Sequence, residues 1–214
     1  MALKFGESAG GAQKNRADAF EPKMGENRVR MFGDLLARYV YWIKGENNKN
    51  LPFECLEFDR NTEKFGTDEK DWVKEYHPDL KCGWAYAILV LDPTDGKVKI
   101  WNLKKKLTES ILSLAKDPEL GDPTDQEAGW DIVFEKKKTG PLPINVGYEL
   151  MQRKLKTTAL SEEQLAAVTE AKTIEEMLPR PSAEQQKELL EKLRNGGGST
   201  ENIDEDVGQE FSVQ

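Results

Sequence analysis

The stretch WAYAILVLDPTDGKVKIWNL, residues 84–103, constrains the fold more than any other part of the chain. Two runs rich in β-branched and aromatic residues flank DPTDG, whose proline presets φ and whose glycine admits a left-handed backbone, so the runs must fold back as an antiparallel hairpin. Other strand signals surround it. NRVRMF alternates charged and apolar residues, GD interrupts the pattern, RYVYWIKG resumes it, and LPFECLEF is a third extended stretch. Residues 59–82 are polar and irregular, with one helical turn expected at Trp72–Tyr76, and read as an insertion. After the hairpin, KKLTESILSLAKD places Leu107, Ile111, Leu114 and Ala115 on one helical face. GDPTDQEAG ends that helix, and WDIVFEKKKTGPLPINVGYELMQ reads as two strands joined by a loop with Gly140, Pro141 and Pro143. Beyond Lys156 the pattern is helical. Ser161 with Gln164, Thr173 with Glu176 and Ser182 with Gln185 have the spacing of capping boxes, and NGGG closes the last helix.

These signals predict a mainly β chain with appended helices. If NRVRMF and RYVYWIK form one long bent first strand, the order matches a five-stranded Greek-key barrel of the OB-fold type, with its helix between the third and fourth strands. The expected organisation is a flexible N-terminal arm (1–25), the barrel (26–156, with the insertion 59–82), a helical segment (157–195) and a disordered acidic tail (196–214).

Composition excludes several classes. Hydrophobic residues make up 37% and charged residues 33%, lean for a compact globule, so part of the chain should lie outside the core. No apolar run approaches the roughly 18 residues of a membrane span, and the N-terminus has no signal-peptide core, so a soluble protein of the cytoplasm is expected. Cys55 and Cys82 read as free thiols. With His77 they offer three zinc ligands where a closed site normally takes four, and no C-x-x-C is present, so no metal or other cofactor is expected. There is no G-x-x-x-x-G-K-[ST] loop, no G-x-G-x-x-G after a strand and no nucleophile signature beside the single histidine, which argues against catalysis. The net charge of −8 is uneven: the last twenty residues hold five carboxylates and no Lys or Arg, leaving −3 for the rest.

Strand alternation puts Arg38, Val40, Trp42 and Lys44 on one face of RYVYWIK, and Tyr39, Tyr41 and Ile43 on the other. In the hairpin, Lys97, Lys99 and Trp101 share a face that reads as wet, because two buried lysines would need partners. Trp84 and Tyr86 lie on the neighbouring run. Cations beside flat rings suit single-stranded nucleic acid, held by stacking platforms in a basic groove. Aromatics in strands are most often core, and Trp130, Phe134 and Tyr148 read so; Tyr39 and Tyr41 fit either role, while Trp42 and Trp101, with cations two residues away, read as platform. The candidate DNA-binding set is therefore Arg38, Tyr39, Tyr41, Trp42, Lys44, Trp84, Tyr86, Lys97, Lys99 and Trp101, with Lys136, Lys137 and Lys138 at the end of a strand as phosphate contacts. A second triplet, Lys104–Lys106, adds charge.

The tail carries Asp204, Glu205, Asp206 and Glu210 followed by Phe211, an anionic peptide with an apolar anchor on a flexible linker. It could compete with DNA for the groove or recruit replication and recombination proteins. With WAYAILVLDPTDGKVKIWNLKKKLTESI and GWDIVFEKKKTG in front of it, the chain resembles the replicative single-stranded DNA-binding proteins of tailed bacteriophages, the group of the T-even phage helix-destabilising protein. That resemblance implies sequence-independent coating of single-stranded DNA in phage replication, recombination and repair, inside the host cell. It is weaker in RVRMFGDLLARYVYWIKG and absent from 160–195. That family member's zinc subdomain uses one His and three Cys; this chain has only His77 and Cys82 in the corresponding insertion, which should hold together without metal. The rival reading is a protein–protein adaptor whose aromatic β-domain binds a peptide.

Overall fold

The structure, a computed structural model, describes residues 19–45, 50–142 and 145–195. The predicted hairpin is present: strand β7 (Ala87–Asp92) pairs antiparallel with β8 (Lys97–Asn102), and Gly96 takes the left-handed φ of +68° that the turn needs. The first strand, β1 (Gly25–Leu36), passes through the GD interruption instead of ending there. Gly33, at φ +68°, absorbs a register shift between Phe32 and Leu36, and the strand bends without leaving the sheet. After Ala37 and Arg38 the chain continues as β2 (Tyr39–Lys44).

The partner of this bent pair is also bent. β1 lies along β7, and β2 lies along the short β6 (Gly83–Trp84). On the other side of β1 runs β9 (Ile132–Lys138), followed by β10 (Val146–Leu150), so one five-stranded antiparallel sheet has the order β10-β9-β1-β7-β8. Between β8 and β9 lies α2 (Lys105–Leu114), whose Leu107 and Ile111 are buried as its periodicity predicts. The stretch between β2 and β6 adds β3 (Asn50–Glu54) to β2, a small hairpin of β4 (Phe58–Asp59) and β5 (Lys64–Phe65), and α1 (Trp72–Tyr76).

Both faces of the large sheet are covered. The inner face packs Val29, Met31, Ile88, Val90, Trp101, Trp130 and Phe134 into the main core. The outer face, Phe32, Leu36, Leu89, Leu91 and Ile100, is roofed by α3 (Glu162–Glu170) and α4 (Ile174–Met177), with Ile174 buried among those residues. All three predicted capping boxes form, the third opening α5 (Ala183–Arg194). The helical segment is tied to the β-region by polar bonds as well. Gln186, 1% exposed, accepts from the Trp72 N–H (2.7 Å) and donates to the Glu54 carbonyl (2.8 Å). Arg180 donates to the Leu56 and Phe58 carbonyls, and Arg60 holds Glu54 bidentately and reaches the Leu178 carbonyl. Arg30, 3% exposed, donates to the Asp125 and Thr158 carbonyls.

The insertion is organised by Asp71, which caps α1 by accepting from Val73 and also accepts from the Leu56 N–H. His77 is exposed at the end of α1, and among the described residues no group of three His, Cys, Asp or Glu side chains is placed to hold a metal ion. Within residues 1–25, which the sequence reads as an arm, 1–18 lie outside the described residues. Ala19 bridges Ile100 at the free edge of β8, and the Phe20 ring meets Trp101 edge-on at 5.8 Å. No helix among the described residues is long and apolar enough to cross a membrane.

Candidate nucleic-acid interface

The pairing of β2 with β6 sets Tyr39 opposite Trp84, and Tyr86 follows two residues later. Trp84 and Tyr86 stack with centroids 4.4 Å apart and planes 10° from parallel, and Tyr86 meets Tyr39 edge-on at 6.5 Å. The β4–β5 hairpin brings two further rings: Phe58 lies 4.7 Å and Phe65 5.0 Å from Tyr39. Phe58 and Tyr86 are buried, Tyr39 and Trp84 half-buried, and Phe65 is 54% exposed. Five rings thus form a continuous cluster with a buried base and an open edge.

One contact anchors the hairpin to this cluster. Glu63, the only described residue other than glycine with positive φ (+52°), accepts from the Tyr86 hydroxyl at 2.6 Å. Such a backbone is uncommon outside glycine and is held by its surroundings. Burial, with the Glu63 carboxylate alongside, pushes the Tyr86 phenol up. Phe65 is absent from the sequence-based set; its signal is a lone large apolar residue inside the polar run NTEKFGT.

The other expected residues divide into groups. Tyr41 and Trp101 do not belong to a stacking surface: each is 1% exposed in the core, with the Tyr41 hydroxyl 3.3 Å from the Cys55 sulfur and Trp101 stacked on Phe134 at 5.1 Å. Arg38 borders the cluster, but its guanidinium donates to the Ala85 carbonyl and Asn102 Oδ1, and burial pushes it down to about 10. Trp42 and Lys44 face away from Tyr39 and Tyr41, as alternation predicts; Trp42 is half-buried and Lys44 exposed. Lys97 is exposed beside the hairpin turn.

The hairpin face expected to be wet is not so at Lys99. Its side chain is only 16% exposed, and its ammonium sits 2.7 Å from Asp92 at the end of β7 and 2.8 Å from Asp95 in the turn. The face is therefore graded, from exposed Lys97 through paired Lys99 to buried Trp101. Burial alone would raise the Asp92 carboxyl, and the Lys99 and Thr94 hydrogen bonds outweigh it and hold it below the usual range. A depressed carboxylate contributes stability above its unfolded pKa of about 4 and loses it as pH falls further. Lys99→Met should therefore destabilise the chain at pH 7 and flatten the loss of stability below about pH 4, read from urea midpoints across the acid range.

Lys136, Lys137 and Lys138 lie at the outer end of β9. Lys137 is paired with Glu149, Lys138 is exposed, and the Lys136 ammonium lies 5.8 Å from the Tyr148 ring centre. Asp204, Glu205, Asp206, Glu210 and Phe211 lie outside the described residues.

No protein-family model matches the chain. It is similar to a protein of Escherichia phage T5 described as a probable ssDNA-binding protein, with 29% identity over 245 aligned positions that cover 97% of this chain and 91% of that one. T5 is a different phage from the T-even group that the sequence motifs resemble.

Proposed function

We propose that this chain binds single-stranded DNA without sequence preference and without catalysing a reaction. The observation that carries the reading is its similarity, over nearly its whole length, to a probable ssDNA-binding protein. The ring cluster supports it with a mechanism. Phe65, Tyr39 and Trp84 offer faces or edges at the surface, while Phe58 and Tyr86 support them from beneath. Rings already fixed by packing lose little freedom when a base stacks on them, and stacking on them is indifferent to sequence because every base has a flat face. Lys44 and Lys97 are outlying cations for the phosphates, whereas Lys137 is held by Glu149.

The finer reading is a bacteriophage protein of DNA replication, recombination and repair acting in the host cytoplasm, as the resemblance to the T-even helix-destabilising family implies. We read its barrel as an OB-fold. With β1–β2 as first strand and β6–β7 as second, the order of the sheet is fifth, fourth, first, second, third, with α2 between third and fourth; this is an OB barrel left open between its third and fifth strands. Residues 26–156 form the DNA-binding domain on this reading. The acidic tail at 196–214 competes with DNA for the groove and recruits partner proteins.

Tryptophan fluorescence tests the function. Oligo-dT should quench the full chain, less at high salt because bound phosphates release counterions, and should quench a chain ended after residue 198 more strongly. Most of the quenching should vanish in Trp84→Phe, since Trp101 and Trp130 are buried and, among the described residues, Trp42 and Trp72 make no ring contact with the cluster. Phe65→Ala should weaken binding by about 5- to 150-fold, the worth of one stacked base. Fluorescence unmoved by oligo-dT in both chains would sink the reading.

A further inference from the structure

The two lysine triplets, remote in sequence, meet in space. Tyr148 on β10 pairs with Lys136 on β9, and α2 lies beside β10. The Lys104 ammonium reaches 5.7 Å and the Lys136 ammonium 5.8 Å from the Tyr148 ring centre, both within cation–π range. Lys105, Lys106 and Lys138 are exposed around them, and the first turn of α2 carries no acidic residue.

Charge is segregated between the two faces of this part of the sheet. The pairing register puts Phe134, Lys136 and Lys138 of β9 on one face with Val146, Tyr148 and Leu150 of β10, a set without a carboxylate. On the opposite face Glu26, Glu135 and Glu149 lie side by side across three strands, and Lys154 and Lys137 pair with the outer two. One face thus carries three carboxylates with two lysines paired to them, while the β9 and β10 residues of the other face include lysines and no carboxylate. The lysine face lies one residue from the strand that carries the ring cluster. The Leu103 N–H donates to the Tyr86 carbonyl (2.9 Å), and Lys104 is the next residue.

We infer that Lys104, Lys105, Lys106, Lys136 and Lys138, gathered around Tyr148, form a second binding surface that takes the sugar–phosphate backbone of the same DNA strand as it leaves the ring cluster. This rests on the single-stranded DNA-binding reading. Tyr148 holds two ammonium groups near one ring, so the charge is positioned before the phosphates arrive. The site then has two parts: rings that hold bases, and a lysine face that holds phosphates beyond them.

The two parts separate by DNA length. Binding of oligo-dT of about 4 and about 16 nucleotides should be compared across salt for the full-length chain, K104Q/K105Q/K106Q, K136Q/K138Q, and a control K172Q/K187Q/K192Q with the same charge change as the first triple but away from this face. The long oligonucleotide should bind about tenfold or more weakly to the first two variants, with the salt slope shallower by about 0.7 for each phosphate that is no longer neutralised. The short one should bind as it does to the unmodified chain, and the control should change little. Equal effects of the test and control triples, or an unchanged slope with the long oligonucleotide, would overturn the second surface while leaving DNA binding intact. An unmodified chain that binds neither oligonucleotide would overturn the DNA-binding reading, and the surface with it.

Discussion

Trp101→Ala is expected to destabilise the protein by about 3–5 kcal/mol, the cost of emptying a large aromatic site in a packed core. The ring is 1% exposed, stacks on Phe134 at 14° between planes, and meets the edge of Phe20, so no neighbour is free to fill the space. For a chain of this length that loss lowers Tm by about 6–20 °C. Trp84→Ala should behave in the opposite way. It removes the half-buried member of the Trp84–Tyr86 stack, so the melting temperature should fall less while affinity for oligo-dT falls by about 5- to 150-fold. Melting curves and titrations on both variants, the latter well below either transition, check the contrast. If Trp101→Ala binds oligo-dT poorly while still folded, the assignment of this ring to the core alone is wrong.

A chain ended after Lys156 should not fold cooperatively. It lacks Ile174 and Leu190, both 4% exposed, each worth about 2–5 kcal/mol when removed from a core. It also removes the partners of the Trp72 N–H and of the Glu54 and Phe58 carbonyls, which Gln186 and Arg180 satisfy, at about 1–3 kcal/mol for the buried Glu54 carbonyl. Together these rival the whole stability of an ordinary domain, about 5–15 kcal/mol. The outer sheet face, with Phe32, Leu89, Leu91 and Ile100, would then meet water. Circular dichroism melting and limited proteolysis decide the matter: a sharp transition within a few degrees of that of the full chain would mean that the helical segment is an accessory after all. Gln186→Ala in the full chain is the milder form of the same test.

Local features are legible wherever the deciding physics is local. DPTDG makes a hairpin because its proline and glycine suit the turn whatever lies around it. The capping boxes at Ser161, Thr173 and Ser182 form because each is a reciprocal pair of hydrogen bonds within four residues. Alternation puts Tyr41 and Ile43 inward and Trp42 and Lys44 on the other side of RYVYWIK, yet Val40 on that other side is buried as well. Alternation does not say which faces stay wet. Lys97, Lys99 and Trp101 look hydrated along the strand because the partners of Lys99, Asp92 and Asp95, come from the end of β7 and from the turn that follows it. One strand also cannot show that its neighbours will bury its far end.

Sequence by itself determined the long strands, the DPTDG turn, the helix starts and the kinds of residue available for stacking and for phosphate binding, but not the β4–β5 hairpin inside the stretch it reads as irregular. Tertiary structure alone decided which rings meet. Tyr39, Trp84 and Tyr86 come together through the β2–β6 pairing, Phe65 arrives on a hairpin of the insertion, and Lys104 finds Lys136 across Tyr148. Strand register and the cover on each sheet face are set by contacts between residues far apart in the chain. Those contacts sort Trp101 into the core and leave Phe65 in solvent, although both are large aromatics in extended segments.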